Sequence, residues 1–272
     1  MPLRTPTGSA CTGAPAGGTW GEDDDGSVLP MIRAAPRHHQ RPLTDLPMPT
    51  TAPRSDRARQ RALADLQARH RACTRCVDAG WLPQARPIFS GGHLARVVLV
   101  GQAPGPVEND VGQPFSGRAG HQLMRWLSRA GFAGEEDARR RIYFISATTC
   151  FPGRRPDGAG DRRPSPREVE ACAPWREGVL DLLRPPLVVP VGSLGLSLFL
   201  PRLRLDDAVG RALLPDGREL PGDSDGLQAP RVLLPLPHPS GQSRWLNDPA
   251  RAALLDRALA RLAELTAWAE RR

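Results

Sequence analysis

Apolar positions along the chain fall into short runs that are separated by longer segments with helical spacing. The runs cover residues 97–100, 142–146, 187–191 and 232–236 and consist mainly of β-branched and aliphatic side chains. Such runs are typical of strands that are buried on both faces of a parallel sheet. Because strands alternate with helical segments, the pattern predicts an α/β fold, a three-layer α/β/α sandwich around a central, mostly parallel, four-stranded sheet.

Helix signals mark the two ends of the expected folded part. Ser55 precedes a segment whose apolar residues recur at helical spacing, so we expect it to cap a helix. A second apolar stripe predicts a helix over about residues 249–268. Residues 1–54 are rich in Pro, Gly, Thr and Arg without periodicity, which predicts a disordered basic tail. Residues 55–272 are therefore expected to form one domain.

The composition makes the chain strongly basic without any lysine. Of its 272 residues 40% are hydrophobic, which supports a substantial core, and the formal net charge is +8. All 37 basic residues are arginines. Because arginine binds phosphate in a bidentate manner, a nucleic-acid partner is one explanation, and GC-rich coding that replaces lysine throughout is the other. Without lysine, catalysis through a lysine Schiff base is excluded.

The sequence contains no sign of membrane insertion. No apolar run reaches the roughly 20 residues of a membrane span, and the first residues lack a hydrophobic leader. We therefore expect a cytoplasmic protein with no membrane partner. In that compartment, paired cysteines are rarely structural disulfides.

Four cysteines lie in the expected folded part. Cys73 and Cys76 form a C-x-x-C pair, Cys150 follows the second predicted strand, and Cys172 ends the helical segment PSPREVEAC. The C-x-x-C spacing lets two thiolates bind one metal centre. Four thiolates suit either structural zinc or a 4Fe–4S cluster, and the spacing does not decide between them. In the alternative interpretation Cys150 and Cys172 are ordinary core residues.

The order of the motifs resembles that of the uracil-DNA glycosylase superfamily. The C-x-x-C pair precedes GQAPG at 101–105 and GQPFSGRAG at 112–120, and the other two cysteines precede LPHPSG at 236–241. Over about residues 70–265 the chain is most similar to the iron-sulfur branch of that superfamily, families 4 and 5. The resemblance implies a DNA base-excision glycosylase whose four cysteines hold a structural 4Fe–4S cluster.

The glycine-rich loop after the first predicted strand is expected to receive the base. A Gly-rich turn that leads into a helix exposes backbone N–H groups, which favour an anion. An enzyme that removes a base from DNA first rotates it out of the stack, and Phe115 is expected to stack on that base. The alternative for Phe115 is a core aromatic that anchors the loop. The residues expected beside the base are Gly101, Ala103 and Asn109, and those expected to bind a DNA phosphate are Ser116, Gly117 and Arg118.

The segment LPLPHPSGQSRW is similar to the second catalytic motif of the superfamily. His238 follows an apolar strand, where its imidazole can donate a hydrogen bond to a carbonyl oxygen of the leaving base. The alternative is a structural histidine at a strand end. Ser240 and Gly241 are expected to bind a DNA phosphate. Arg244, Trp245 or Leu246 is expected to fill the gap that the flipped nucleotide leaves in the stack.

Two positions depart from the pattern of the superfamily. Gln102 stands where family 4 has an acidic residue that orients or activates water, and an amide can position a water without accepting its proton. Glu108 or Asp110 on the same loop is expected to substitute, unless charge stabilisation suffices. Ser146 stands where an asparagine reads the edge of uracil, so either a backbone group completes the recognition or the base is a different one.

The segment GRRPDGAGDRR at 153–163 is longer than the resemblance implies, and it is either a disordered insert or a DNA-contacting loop. The whole sequence predicts a monomeric, nucleoid-associated, monofunctional glycosylase that removes a deaminated base, uracil first, from single-stranded or mismatched DNA. One rival is a nonenzymatic DNA-binding protein of the same fold. The other, a zinc-containing nucleotide or phosphate hydrolase, is disfavoured because the chain has no P-loop lysine.

Overall fold

The structure, a computed structural model, describes residues 55–220, 229–241 and 244–272. The predicted tail over residues 1–54 lies outside these ranges. Within them the strands are β1 (Val97–Gly101), β2 (Ile142–Ser146), β3 (Leu187–Pro190) and β4 (Val232–Leu233). The helices there are α1 (Asp56–Arg71), α2 (Arg75–Asp78), α3 (Pro106–Val111), α4 (Arg118–Arg129), α5 (Glu135–Arg141), α6 (Pro166–Leu183), α7 (Gly192–Ser197), α8 (Leu205–Ala208) and α9 (Pro249–Glu270). None of these described helices combines the length and the apolarity that crossing a bilayer requires.

The strands form one parallel sheet in the order β2-β1-β3-β4. β1 lies inside the sheet, where Val97 pairs with Ile142 of β2 on one side and with Leu187 of β3 on the other. β3 pairs in turn with β4. The predicted α/β fold with four strands is confirmed, and the sheet is parallel throughout the described residues.

β4 is shorter than the predicted strand because prolines follow it. The strand ends at Leu233, and Pro235 and Pro237 have no N–H group to donate to a ladder. Pairing with β3 nevertheless continues, since the N–H of Leu236 donates to the carbonyl of Pro190 at 2.9 Å. The chain is therefore held along β3 as far as the start of the HPSG motif.

Alternate residues of the strands face two separate cores. Leu99 of β1 packs in one core with Trp126 of α4, and Val98 packs in the other with Leu63 of α1 and Leu180 of α6. All of these side chains are at most 3% exposed. Burying a side chain of this size stabilises the fold by about 1.5–3 kcal/mol. Helices thus cover both faces of the sheet, which confirms the three-layer arrangement.

The helix starts agree with the signals in the sequence. The hydroxyl of Ser55 accepts a hydrogen bond from a backbone N–H of the first turn of α1 at 3.2 Å. Asp248 caps α9, which runs to Glu270, slightly beyond its predicted end. α6 begins with a reciprocal cap between Ser165 and Glu168.

The Gly- and Arg-rich insert is an ordered loop. The N–H of Arg155 donates to the carbonyl of Gly160 at 2.9 Å, and the N–H of Arg162 donates to that of Gly153 at 2.9 Å. The structure therefore does not support the alternative of a disordered insert.

Candidate active site

The parallel strands bring the predicted motifs to one edge of the sheet. Gly101, the last residue of β1, pairs with Ser146, the last residue of β2. On the other side of β1, the N–H of Gly192 at the start of α7 donates to the carbonyl of Leu236 at 2.8 Å. A Cβ added at Gly192 would lie only 3.2 Å from Cβ of His238, so His238 packs directly on this glycine. Open α/β sheets bind their ligands at this edge.

Phe115 lies against the strand ends in a left-handed backbone conformation. Its φ is 56°, and such a conformation costs a non-glycine residue on the order of 1–3 kcal/mol. The ring centroid lies 5.8 Å from that of Phe144, with the planes tilted by 59°. A Cβ added at Gly101 would lie 2.8 Å from Cζ of Phe115 and 3.1 Å from Oγ of Ser146, so only glycine fits between them. The structure thus brings together three residues that were predicted to surround the base.

Glu108 is buried beneath the same loop and binds its backbone amides. One carboxylate oxygen accepts from the N–H of Ser116 at 2.9 Å and from that of Gly117 at 2.8 Å, and the other accepts from Gly105 at 3.0 Å. The residue is 9% exposed. The anion that the Gly-rich turn was predicted to bind is therefore supplied by the chain itself, as the carboxylate of Glu108. The predicted phosphate contact cannot use these amides while Glu108 holds them, which leaves the exposed Arg118 for it.

Arg139 holds the loop through its carbonyl groups, and no sequence motif pointed to this residue. Its guanidinium donates to the carbonyl of Pro114 at 2.9 Å and to that of Phe115 at 3.3 Å. Glu135, one turn earlier on α5, accepts from the same guanidinium at 2.8 Å. The guanidinium carbon also lies 5.7 Å from the ring centroid of Phe144.

The side chains of Gln102 and Asn109 make no hydrogen bond within the described part of the chain. Gln102 is half-buried, and its main-chain carbonyl accepts from the N–H of Thr148 at 3.3 Å. Ala103 and Asn109, also half-buried, lie on the same loop and on α3. Ser146 is 6% exposed. The amide of Gln102 is thus available to hold a water molecule, although it cannot take the proton of that water.

The imidazole of His238 is held as one tautomer. The N–H of Ser240 donates to its Nδ1 at 3.2 Å, and the hydroxyl of Ser240 lies 2.9 Å from the same nitrogen. A backbone N–H can only donate, so Nδ1 is the acceptor and the neutral ring carries its proton on Nε2. Burial lowers the pKa of His238 below its usual value of 6.5, which keeps the ring neutral at physiological pH. The site therefore offers an uncharged N–H donor.

The segment after His238 departs from the prediction at one residue. A Cβ added at Gly241 would meet no described atom within 4 Å, so there is room for a ligand at this glycine. Arg244 begins the 3-10 helix Arg244–Asn247. Trp245 in that helix is 9% exposed, and its indole N–H donates to Asp206. Trp245 is a core residue, and the expectation that it could fill the gap left by a flipped nucleotide is wrong.

The four cysteines of the folded part line one cavity. Cys73 precedes α2, Cys76 lies on it, Cys150 follows β2, and Cys172 lies on α6. All four are free thiols. Among the described residues, no group of three or more His, Cys, Asp or Glu side chains is arranged to hold a metal ion. The structure brings the predicted ligands together, and their role as ligands stays a prediction.

Burial raises the pKa of three of these thiols. Desolvation raises the pKa of Cys76 to about 11 and that of Cys150 to about 12, and it raises the pKa of Cys172 above its usual 9.0. Neighbouring thiols add to each of these shifts. In the protein alone these thiols are therefore protonated at neutral pH. Metal binding reverses this state, because a coordinating thiol loses its proton.

Polar groups surround the sulfur atoms of this cavity. The indole N–H of Trp175 donates to Sγ of Cys73 at 3.2 Å, and the hydroxyl of Thr149 lies 3.5 Å from Sγ of Cys172. The hydroxyl oxygen of Thr148, on the cavity wall, is buried without a hydrogen-bond partner in the described structure. Where thiols bind a metal group, hydrogen bonds of this kind orient and tune the sulfur ligands.

A neutral histidine and a buried arginine complete these surroundings. His70 is stacked between two aromatic rings at centroid distances of 4.3 and 4.8 Å, and Nε2 lies 2.8 Å from the hydroxyl of Thr149. Burial, with nearby arginines, lowers its pKa to about 3, so the ring is uncharged. Arg176 is 7% exposed, donates to the carbonyl of Ala147 at 3.3 Å and interacts electrostatically with Cys172. A buried guanidinium beside these thiols favours an anionic group in the cavity.

The insert connects the cysteine cavity with the glycine-rich loop. Arg162 donates to both carboxylate oxygens of Glu168 at 2.7 Å, and Glu168 lines the cavity. These hydrogen bonds lower the pKa of Glu168 to about 2. At the other side, a carboxylate oxygen of Asp161 would lie 3.4 Å from a Cβ added at Gly105. The side chains of Arg154 and Arg155, also in the insert, are more than half exposed.

Comparisons with known proteins agree with the resemblance of the motifs. A family model described as "Uracil DNA glycosylase superfamily" matches residues 89–263. The type-4 uracil-DNA glycosylase of Thermotoga maritima is 29% identical over 142 residues, which cover 52% of this chain and 67% of that protein. For the type-4 enzyme of Pyrobaculum aerophilum the identity is 31% over 131 residues, 47% of this chain and 61% of the relative. The type-5 uracil-DNA glycosylase of Thermus thermophilus is 35% identical over 109 residues, 36% of this chain and 47% of the relative.

Proposed function

Because this chain belongs to the uracil DNA glycosylase superfamily, we propose that it hydrolyses the N-glycosidic bond of uracil in DNA and acts in base-excision repair. The observation that carries the proposal is the neutral ring of His238, with its proton on Nε2 at the edge of the sheet. Bond cleavage leaves negative charge on the departing base. An N–H donor that is already in place stabilises this charge as it develops.

The flipped base stacks on Phe115. In this proposal the ring, Gly101 and Ser146 form the base pocket, because a Cβ added at Gly101 would lie 2.8 Å from Cζ of Phe115 and 3.1 Å from Oγ of Ser146. Ala103 and Asn109, on the same loop and on α3, complete the predicted set. Stacking on an aromatic ring contributes about 1–3 kcal/mol per base in comparable nucleic-acid sites. This interaction tolerates any base, so it captures the base without identifying it.

Uracil is identified by hydrogen bonds at the strand ends. The hydroxyl of Ser146 supplies one of them, and backbone groups of the loop at Gln102 and Ala103 supply the others. The choice of uracil over another deaminated base is supported by the names of the relatives, which are uracil-DNA glycosylases.

The attacking water is held by the amide of Gln102. Glu108 is not free to activate this water, because both of its oxygens accept backbone N–H groups. The rate therefore depends mainly on stabilisation of the leaving base by His238, with the water positioned and not deprotonated in advance.

The DNA strand is bound by arginines and by the backbone near His238. Arg118 lies exposed at the start of α4, and Arg163 and Arg167 lie exposed at the end of the insert and on α6. Gly241, which has open space around it, takes a phosphate next to the reacting nucleotide, while the donors of Ser240 hold the ring of His238. We further propose that the protein acts as a monomer in the nucleoid and prefers single-stranded or mismatched DNA, since an unpaired base is the least costly to flip.

The cavity lined by Cys73, Cys76, Cys150 and Cys172 holds a 4Fe–4S cluster in this proposal. The shared cavity, the donors to sulfur and the buried Arg176 support an anionic metal–thiolate group. The choice of a cluster over zinc, which four thiolates also suit, rests on the similarity of the motifs to the iron-sulfur branch of the superfamily. When bound, the cluster supplies a structural cross-link between these segments.

An excision assay tests the proposal. The purified protein is incubated with oligonucleotides, single-stranded or in matched and mismatched duplexes, that carry uracil, hypoxanthine, xanthine or an ordinary base, and abasic sites are then cut with alkali. We expect cleavage of the uracil strand after alkali only, because a chain without lysine has no side-chain amine for strand scission. Salt-sensitive binding without cleavage on any strand would instead support the nonenzymatic DNA-binding protein.

A further inference from the structure

We propose that Arg139 and Glu108 are positioning residues that together hold Phe115 in the orientation in which it stacks on the flipped base. We call this pair the loop clamp. The inference rests on the proposed function, which it deepens by naming what prepares the stacking ring. Neither member of the loop clamp needs to touch the base.

The loop clamp fixes both peptide groups that flank Cα of Phe115. Arg139 binds the carbonyl of Pro114, which belongs to the preceding peptide, and the carbonyl of Phe115, which belongs to the following one. Glu108 binds the N–H of Ser116 in that same following peptide. Because each peptide group is planar, fixing the two groups fixes φ and ψ of the residue between them. A cation on the carbonyls and an anion on the amide thus fix the direction in which Cβ of Phe115 leaves the backbone, and the ring packs near Gly101 from there.

The backbone conformation of Phe115 is intrinsically unfavourable, so other groups must stabilise it. Phe115 has a φ of 56°, which disfavours any residue with a side chain. Helix α4 comes so close that a Cβ added at Gly120 would lie 1.9 Å from the carbonyl oxygen of Phe115. A loop freed from its charged partners would relax toward negative φ, and the ring would leave the strand ends.

Arg139 is suited to this role by its own rigidity. Its side chain is 16% exposed and paired with Glu135, so it is poorly placed to bind a DNA phosphate. Its guanidinium lies 5.7 Å from the ring centroid of Phe144, which in turn lies 5.8 Å from that of Phe115. The same side chain therefore supports both the loop backbone and Phe144, the residue against which the ring of Phe115 packs.

The test compares R139M and E108Q with a matched control, R141M. Arg141 lies on the same helix, pairs with Asp137 at 2.9 Å and Glu270 at 2.6 Å, and lies 4.6 Å from the ring centroid of Phe132. Its partners are outside the loop, so R141M reports any general effect of losing a paired arginine from α5. The thermal midpoint of each variant is measured beside the other readouts.

The first readout is amide hydrogen exchange of the peptide covering residues 112–120, followed by mass spectrometry. We expect R139M and E108Q to speed exchange there by about tenfold or more, since the amides of Ser116 and Gly117 lose their closed arrangement. R141M should leave this exchange unchanged. Unchanged exchange in R139M and E108Q overturns the loop clamp, whether or not the parent protein excises a base.

The second readout separates base capture from backbone binding. We expect R139M to lower kcat/KM for uracil excision roughly tenfold, while its affinity for the same oligonucleotide with a tetrahydrofuran abasic analogue stays within about twofold. A purely structural role would lower the thermal midpoint and leave excision per folded molecule intact. If the parent excises no base, the proposed function fails, and hydrogen exchange alone decides the loop clamp.

The double variant F115A/R139M decides whether Arg139 acts through Phe115. Residues that act through one another give losses that do not multiply. We therefore expect the double variant to excise uracil about as slowly as F115A alone. Fully multiplying losses, or excision by R139M at the rate of the parent, would overturn the inference.

Discussion

Residues 146–150 lie between two regions, the proposed base pocket and the cysteine cavity, which differ in how their polar groups are satisfied. At one end lies the proposed base pocket, where Phe115 and Ser146 both lie close to Gly101 and where Glu108 and Arg139 are paired with backbone groups of the loop. At the other end, Cys150 lines a cavity whose thiols have raised pKa values and whose wall carries a hydroxyl without a partner in the described structure. The chain itself thus completes the base pocket, whereas the cysteine cavity is suited to completion by a bound group.

The two regions are nevertheless connected through a few peptide groups. The N–H of Ala147 donates to the carbonyl of Gly101 at 2.9 Å, and Arg176 donates to the carbonyl of Ala147 at 3.3 Å. The N–H of Thr148 donates to the carbonyl of Gln102 at 3.3 Å. We therefore expect a change at the cysteine cavity to affect the backbone of Gly101 and Gln102 at the proposed base pocket.

Removing one cysteine should affect the protein more than any single substitution in the base pocket. We expect Cys172→Ala to lose the visible absorption of the cluster and to unfold at a much lower temperature, because metal binding at such a site contributes directly to folding. Excision should be lost with it, since the cavity and the pocket share residues 146–150. Absorption spectra, iron analysis and thermal unfolding check this prediction.

The fifth cysteine provides the control for this experiment. Cys11 lies outside the described residues and was not predicted to be a ligand, so Cys11→Ala should keep the colour, the iron content and the thermal midpoint. Full colour and iron in Cys172→Ala would break the ligand assignment and return Cys172 to the ordinary core.

The fold could be predicted because its determinants are local in the sequence. Consecutive apolar residues specify strands that are buried on both faces, and Ser55 marks the start of α1 with a cap that depends on neighbouring residues only. The end of β4 was misjudged because the apolar pattern continues through Pro235 and Pro237, which have no N–H group for a ladder.

The site was less predictable because its contacts are distant in sequence. Arg139 reaches Pro114 and Phe115 from another helix, and one arginine among 37 carries no signal that distinguishes it. Glu108 was predicted on this loop, but it lies on α3, and its bonds to backbone amides depend on how the loop folds back over that helix. Trp245 follows an arginine in a segment expected to contact DNA, yet the 3-10 helix turns its ring into the core.

The second largest loss of activity is expected on substitution of His238, because we propose that the reaction takes place in the base pocket and not at the cysteine cavity. His238→Ala removes the N–H donor to the leaving base, and loss of one such donor lowers kcat by about 10²–10³-fold in comparable enzymes. DNA binding, cluster absorption and thermal midpoint should remain close to those of the parent. Single-turnover excision rates check the prediction, and an unchanged rate would remove His238 from the mechanism.

The pH dependence sharpens the same prediction. Protonation of Nδ1 would displace the N–H of Ser240 that orients the ring of His238, and burial lowers the pKa of this ring below 6.5. The excision rate should therefore stay constant from neutral pH down to 6.5 and fall only below that value. Below pH 6.5 the unfolded chain binds the proton more readily than the folded protein, so this residue also lowers stability as the pH falls. Ser240→Ala keeps the backbone N–H on Nδ1 and should preserve this profile.

The smallest effect is expected at Gln102, and it tests whether the chain alone completes the pocket. The amide holds the water without accepting its proton, so Gln102→Glu adds a proton acceptor at the same place, and Gln102→Ala removes the contact with water. An ideally placed general base contributes about 10²–10⁴-fold. We expect a gain of only about tenfold for Gln102→Glu, because a new carboxylate also repels the negative charge of the leaving base, and a loss of about tenfold for Gln102→Ala. Single-turnover rates at saturating enzyme measure both. Equal rates in the parent, Gln102→Glu and Gln102→Ala would mean that Gln102 does not hold the water. A group of the DNA would then have to position the water in the base pocket.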